Sequence, residues 1–107
     1  MIMQKMSFDE LYVLVVSWSR ARQIIPNSTA NAQFLKMVSE MGELADGIAK
    51  KDITLTADAV GDVLVCMINF CELAGLDMVD CLQGAYMEIK DRKGTLLPNG
   101  VFVKDVA

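Results

Sequence analysis

From Ser7 to Lys93 the apolar residues recur three and four positions apart, the period of helices with one face turned inward, and the pattern predicts four of them. The first covers about residues 7–23. Ser7-Phe8-Asp9-Glu10 reads as a capping box, in which the hydroxyl and the Glu10 side chain satisfy free amides of the first turn, and Leu11, Leu14, Val15 and Trp18 follow at helical spacing. Pro26 turns Ile25 away from helical geometry and Asn27 and Ser28 suit a turn, so a second helix begins there and covers about 28–50. Its expected apolar side is Phe34, Leu35, Val38, Met41, Leu44, Ala45 and Ile48. Lys50 and Lys51 fall where positive charge favours a helix C-terminus.

The third helix, about 54–74, is apolar all round from Val63 to Ile68, the composition of a helix in the middle of a bundle. Gly75 closes it, and Asp77 caps a fourth helix, about 77–93, carrying Leu82, Ala85, Tyr86 and Ile89. Beyond it Pro98-Asn99-Gly100 lies between apolar pairs and predicts a short hairpin or flap over 95–107. The expected fold class is all-α: one domain of four-helix-bundle type with a C-terminal hairpin.

Composition changes this picture in one respect. Of 107 residues, 62 are Ala, Val, Ile, Leu, Met, Phe, Trp, Cys or Gly, more than the ~45–50% usual in soluble domains. The surplus is read as surface kept for a second copy, so a homodimer or homotetramer is expected, with Met37, Met41, Phe70 and the hairpin as contacts. The longest apolar run, Val63 to Cys71, is broken by Asn69 and falls far short of the ~20 residues that span a bilayer. Met1 to Glu10 has one Lys and no small-residue cleavage site, unlike a signal peptide. A cytoplasmic protein without a membrane segment is expected.

Charge and chemistry narrow it further. Fourteen acids against ten bases give a net charge of -4, which argues against nucleic acid as a partner, because that binding needs clustered positive charge. With no histidine, His-assisted nucleophiles and His-ligated zinc are excluded. The three cysteines form no Cys-x-x-Cys pair and are read as buried small hydrophobes.

What remains is carboxylates. Lys36, Glu40 and Glu43 share one helix face, an arrangement that on most helices is only a solvated surface. Asp58 and Asp62, again one turn apart, lead directly into the most apolar stretch. Buried acids cost several kcal/mol each unless paired or metal-bound, and that helix contains no Lys or Arg. Gly42 and Gly61 sit beside the acids, where helices, or a helix and a ligand, could approach closely. Asn69 lies on nearly the face of Asp62, suited to an inter-helix hydrogen bond or to a ligand's sugar or phosphate. Lys90, Arg92 and Lys93 complement a helix dipole or could grip a polyphosphate. Trp18, near Arg20 and Arg22, reads as core more readily than as a stacking platform.

Lys36-x-x-Ser39-Glu40-x-Gly42-Glu43-Leu44-Ala45-Asp46, Asp58-x-x-Gly61-Asp62-Val63-Leu64, Glu88-Ile89-Lys90-Asp91-Arg92-Lys93-Gly94 and Asn99-Gly100-Val101-Phe102-Val103-Lys104, in that order, resemble the MazG-like nucleoside triphosphate pyrophosphohydrolases, in particular their short single-domain members in bacteria and phages. The resemblance implies a helical core that binds Mg2+, with Mn2+ as a possible substitute, and converts a nucleoside triphosphate (NTP or dNTP) to the monophosphate and pyrophosphate. It implies Glu40, Glu43 and Asp62 as catalytic metal ligands, and Lys36, Lys90, Arg92 and Lys93 as phosphate-neutralising groups. Asn69 and Trp18 would face the nucleoside. Ser39 and Ala59 stand where the family carries further acids, and Asp58 is expected to supply an oxygen in their place as a metal ligand. The same two departures fit an alternative, a catalytically weakened nucleotide-binding or self-associating helical module.

Overall fold

The computed structural model describes residues 4–106. Met1 to Met3 and Ala107 lie outside the described residues, and with them part of the segment read as lacking a leader and the last residue of the expected flap. The chain divides into two compact units, the first ending at Leu76 and the second beginning at Asp77.

The first unit holds α1 (Phe8–Ala21), α2 (Ile24–Asn27), α3 (Ala30–Ala49) and α4 (Ile53–Ala74). Their starts follow from local chemistry. Ser7, Thr29 and Asp52 each accept a hydrogen bond from the backbone amide three residues on, satisfying one of the donors a helix N-terminus leaves unpaired. In the Ser7 cap, the hydroxyl donates to Glu10 Oε1 at 3.2 Å. The Ile25-Pro26 peptide is cis, and the single turn of α2 occupies the stretch read as a plain turn. Gly75, in the left-handed region at φ 71°, ends α4.

A three-residue link with Lys51 at φ 54° folds α4 back against α3, and α4 also packs on α1 and α2. The all-apolar helix is therefore the central one. By length and composition α4 is also long and apolar enough to cross a membrane, a criterion that tolerates the interruptions a count of consecutive apolar residues does not. Its packing on three helices is that of a core element.

The close approach of α3 and α4 lies at Gly47, where a Cβ would stand 2.7 Å from Thr56 Oγ1 and 2.9 Å from Thr56 N. Gly42 and Gly61, the expected contact points, have nothing within 4 Å of an added Cβ. Gly61→Ala should therefore raise stability by about 0.5–1 kcal/mol, by lowering the conformational entropy of the unfolded chain, read as an increased urea midpoint.

The buried core comprises Ile25, Met37, Ala59, Cys66, Ile68 and Cys71, with Ser19 and Asn69 as its polar members. Two expectations fail here. Toward α4, helix α3 turns Gln33, Met37, Glu40, Leu44 and Gly47, whereas Phe34, Leu35, Val38, Met41 and Ile48 stay about half or more exposed. Met37, only 6% exposed, is part of this chain's own core and is not a surface for a second copy.

The second unit holds α5 (Met78–Ile89), capped by Asp77, and the strands β1 (Gly94–Leu96) and β2 (Phe102–Lys104). The strands pair antiparallel in the register Gly94 with Lys104, Thr95 with Val103 and Leu96 with Phe102. Asn99 Oδ1 accepts from Val101 N at 3.0 Å and Gly100 takes φ 89°, completing the expected hairpin. No residue of α5 is buried.

Candidate metal centre

Glu40 and Glu43 lie one turn apart on α3, and the short α3–α4 link brings Asp62 of α4 to the same place. Each of the three offers an oxygen within 4.8 Å of the other two. Glu40 is the most buried, its side chain 12% exposed; its Oε1 stands 3.4 Å from Lys36 Nζ. Glu40 Oε2 is buried and accepts no hydrogen bond, an arrangement that costs about 1–3 kcal/mol, more for a charged group, unless something else occupies the lone pairs.

The three carboxylates repel one another. The charge of Glu40 and a bond shared with it raise the Glu43 carboxyl above its ordinary value, with Asp62 adding to the effect and Lys36 opposing it. Desolvation, then the charges of Asp58 and Glu40, raise Asp62. Burial pushes the Cys66 thiol up as well, so it stays protonated at neutral pH and the donors on offer are carboxylate oxygens alone. An unsatisfied buried oxygen beside two mutually repelling carboxylates fits a hard divalent cation such as Mg2+ or Mn2+, which takes oxygen ligands at about 2.0–2.1 Å and keeps several waters.

Protons compete with that cation for the same oxygens. Because folded-state values above the unfolded ones favour the protonated form, the stability these two groups lend the metal-free fold is present at low pH and lost as pH rises through the raised values. Added Mg2+ should thus raise the melting temperature at pH 7, and the increment should shrink as pH falls toward the ordinary carboxylate range. Scanning calorimetry with and without Mg2+ checks this.

Asp58 does not join the three. It is exposed and lines a separate cleft with Asp52, Ile53, Thr54, Leu55 and Ala57. Four positions of helix rise about 6 Å, so Asp58 lies a full turn from Asp62 along α4, toward its N-terminus. Its charge reaches Asp62 but its carboxylate lies outside the cluster. Ser39 is exposed and Ala59, 1% exposed, is packed in the core; neither supplies an acid.

Asp62 also borders a groove of about 370 Å3 lined by Leu11, Leu14, Val15, Trp18 and Val65. Trp18 is 45% exposed, and Arg22 lies over its ring at 4.7 Å. The reading of Trp18 as core is overturned: it forms part of a groove wall. No sequence signal marks this groove, since Leu11, Leu14 and Val65 look like ordinary helix-packing positions.

Asn69 is 3% exposed. Its Oδ1 accepts from Ser19 Oγ at 2.6 Å and its Nδ2 donates to Gln33 Oε1 at 3.4 Å, while Gln33 Nε2 donates to Ser28 Oγ at 3.2 Å. The structure thus puts the Asn69 amide to the inter-helix use. In the second unit, Lys90 Nζ pairs with Asp91 at 2.8 Å. Arg92 and Lys93 line a cleft of about 490 Å3 that they share with Lys104 and the acids Glu88, Asp91 and Asp105, a mixed-charge surface.

Three comparisons bear on these observations. Residues 28–96 match the family model of the MazG nucleotide pyrophosphohydrolase domain. An uncharacterized 18.2 kDa protein from Haemophilus phage HP1 is 32% identical over 71 residues, which are 66% of this chain and 44% of that protein. Among solved structures, the MazG-like pyrophosphohydrolase of cyanophage S-2L, bound to dGDP and three catalytic Mn2+ ions per active site, superposes with a TM-score of 0.67 at 22% identity, covering 95% of this chain and all of the other. That likeness shows the all-α MazG-like fold.

Proposed function

We propose, on the premise that this chain belongs to the MazG nucleotide pyrophosphohydrolase family, that it hydrolyses nucleoside triphosphates, NTP or dNTP, to the monophosphate and pyrophosphate with Mg2+ as its ion and Mn2+ as a substitute. The observation that carries this is the buried, unsatisfied oxygen of Glu40, whose carboxylate clusters with those of Glu43 and Asp62. The binding of dGDP and Mn2+ by the cyanophage protein supports a nucleotide and a divalent cation as the matching pair.

Glu40, Glu43 and Asp62 hold the ion, which when bound screens phosphate charge and lowers the pKa of a coordinated water. Lys36, 63% exposed at its side chain and within reach of the cluster, neutralises phosphate charge as it develops. Trp18 offers a ring face for the base at the groove that Asp62 borders. Lys90, Arg92 and Lys93 are assigned to phosphate by their chemistry alone. The exposed apolar side of α3, with Met41 53% exposed, supports self-association as a homodimer or homotetramer, and a cytoplasmic location suits the nucleotide substrate.

Incubating the purified chain with Mg2+ and a panel of NTPs and dNTPs tests the reading. Pyrophosphate release from at least one of them is expected. Nucleotide binding with no release from any member favours the weakened module, to which the absent acids at Ser39 and Ala59 point.

A further inference from the structure

Of all the residues of α1, Ser19 alone is buried. Leu11, Leu14 and Trp18 are about half exposed and form one wall of the groove that Asp62 and Val65 complete from α4. Apolar contacts this open are non-directional and do not fix how far α1 is rolled about its own axis. A bond between buried polar atoms does. Ser19 Oγ donates to Asn69 Oδ1 at 2.6 Å, and Asn69 is held in turn from α3, its Nδ2 donating to Gln33 Oε1 at 3.4 Å.

The bond is rooted beside the groove on both helices. Asp62, Val65 and Asn69 follow one another at three and four positions along a single face of α4, and Ser19 directly follows Trp18. Side chains reach about 5–6 Å from a helix axis, so a roll of α1 by about 10° moves the Trp18 ring by about 1 Å. Displacements of that size at a bound substrate carry large losses.

We infer that Ser19 and Asn69 are positioning residues for the nucleotide: their bond fixes the roll of α1 and so holds the Trp18 ring at the spacing from α4 that admits a flat base. Neither side chain touches the ligand, since Ser19 and Asn69 are both buried. This rests on the nucleotide reading above and makes Asn69 a support rather than a ligand contact. The metal centre provides a contrast, because Glu40, Glu43 and Asp62 come from α3 and α4 alone and stay in place when α1 rolls. Tyr12 and Arg20 of α1 also reach Glu72 of α4, at 2.8 and 3.9 Å, which keeps α1 docked when the Ser19 bond is removed.

Trp18 is the single tryptophan, so its emission reports on the groove of the intact chain whether or not turnover occurs. Ser19→Ala is expected to shift that emission to longer wavelength and to open it to acrylamide quenching. Binding of the uncleavable α,β-methylene analogues of the NTPs and dNTPs, with Mg2+ present, should weaken by about ten-fold, within what one stacked base contributes. The rise in melting temperature on adding Mg2+ should match the parent's. Asn69→Leu should weaken analogue binding to the same degree, and the double variant no further than either change alone, because both remove one bond. Gln33→Leu leaves that bond and should keep analogue affinity within a few-fold of the parent.

Parent-like Trp18 emission and analogue affinity in Ser19→Ala would overturn the inference, as would losses from the two changes that add. Loss of Mg2+ stabilisation or of helical circular dichroism in Ser19→Ala would overturn it as well, since the bond would then hold the fold rather than the ring. A parent chain that binds none of the analogues would also overturn it, while pyrophosphate release from that chain would leave the hydrolase reading intact. If the analogues bind and no nucleotide releases pyrophosphate, the hydrolase reading fails and the positioning role stands on affinity and emission.

Discussion

Exchanging Glu43 or Asp62 for Ala is expected to lower pyrophosphate release by at least about 100-fold, a loss at or above what even outer-shell changes around a metal cost. The expectation has a second half that separates it from simple unfolding. Each of these carboxylates is held against its neighbours' charge, so removing one relieves repulsion, and the metal-free melting temperature should hold or rise. The stabilisation by added Mg2+ should fall sharply at the same time. Asp58→Ala provides the contrast. Asp58 faces the cleft beside Asp52 and lies outside the cluster, so its loss should leave activity within a few-fold of the parent. Initial rates, calorimetry and circular dichroism on the three variants check the set. A large loss with Asp58→Ala and none with Glu43→Ala would mean that the ligand set is drawn wrongly.

Gly47→Ala carries the largest expected effect on stability. The added methyl would press on the hydroxyl and backbone of Thr56, and Thr56 cannot easily yield, because its Oγ1 and its N both donate to Asp52 O, at 2.7 and 3.0 Å. Overpacking of this kind costs about 1–3 kcal/mol, and each kcal/mol is about 4–8 °C of melting temperature in a domain of 60–100 residues. Function should suffer with it. Gly47 lies on the α3 face that also carries Glu40 and Leu44, so spreading the helices there draws Asp62 away from Glu40 and weakens Mg2+ binding. Thermal denaturation and an Mg2+ titration on the variant measure both.

The helices were legible in the sequence because their ends are written in local chemistry. Ser7 and Asp77 cap and Gly75 terminates wherever they stand, whatever packs nearby. The acid cluster was legible in part, since Glu40 and Glu43 need only helical spacing to share a face. Placing Asp62 with them needed the family motif, and the structure supplied the crossing of α3 and α4.

Tertiary choices were not legible. Hydrophobicity marked Phe34, Leu35 and Val38 as the inner side of α3, yet the inner side carries Gln33, Glu40 and Gly47, because a polar network through Ser19 and Asn69 and the metal centre both lie at that interface. Glycine at 42 and 61 looked like a contact because glycine is costly in mid-helix, but the cost alone does not say which glycine a neighbour needs. Asp58 shares a face with Asp62 by i, i+4 spacing, but it stands about 6 Å farther along α4, beside the cleft at the start of the helix, and the spacing does not say which turn of α4 meets Glu40. Trp18 was read as core because a single large aromatic usually is; only the packing of α1 against α4 shows it in a groove wall.

The most direct test of a metal-dependent pyrophosphohydrolase is the identity of its products. Phosphorus NMR on the intact chain with Mg2+ and a triphosphate that it turns over is expected to show pyrophosphate and the nucleoside monophosphate appearing together, with no signal change when Mg2+ is chelated. Nucleoside diphosphate with inorganic phosphate, or turnover that persists in the chelator, would contradict it.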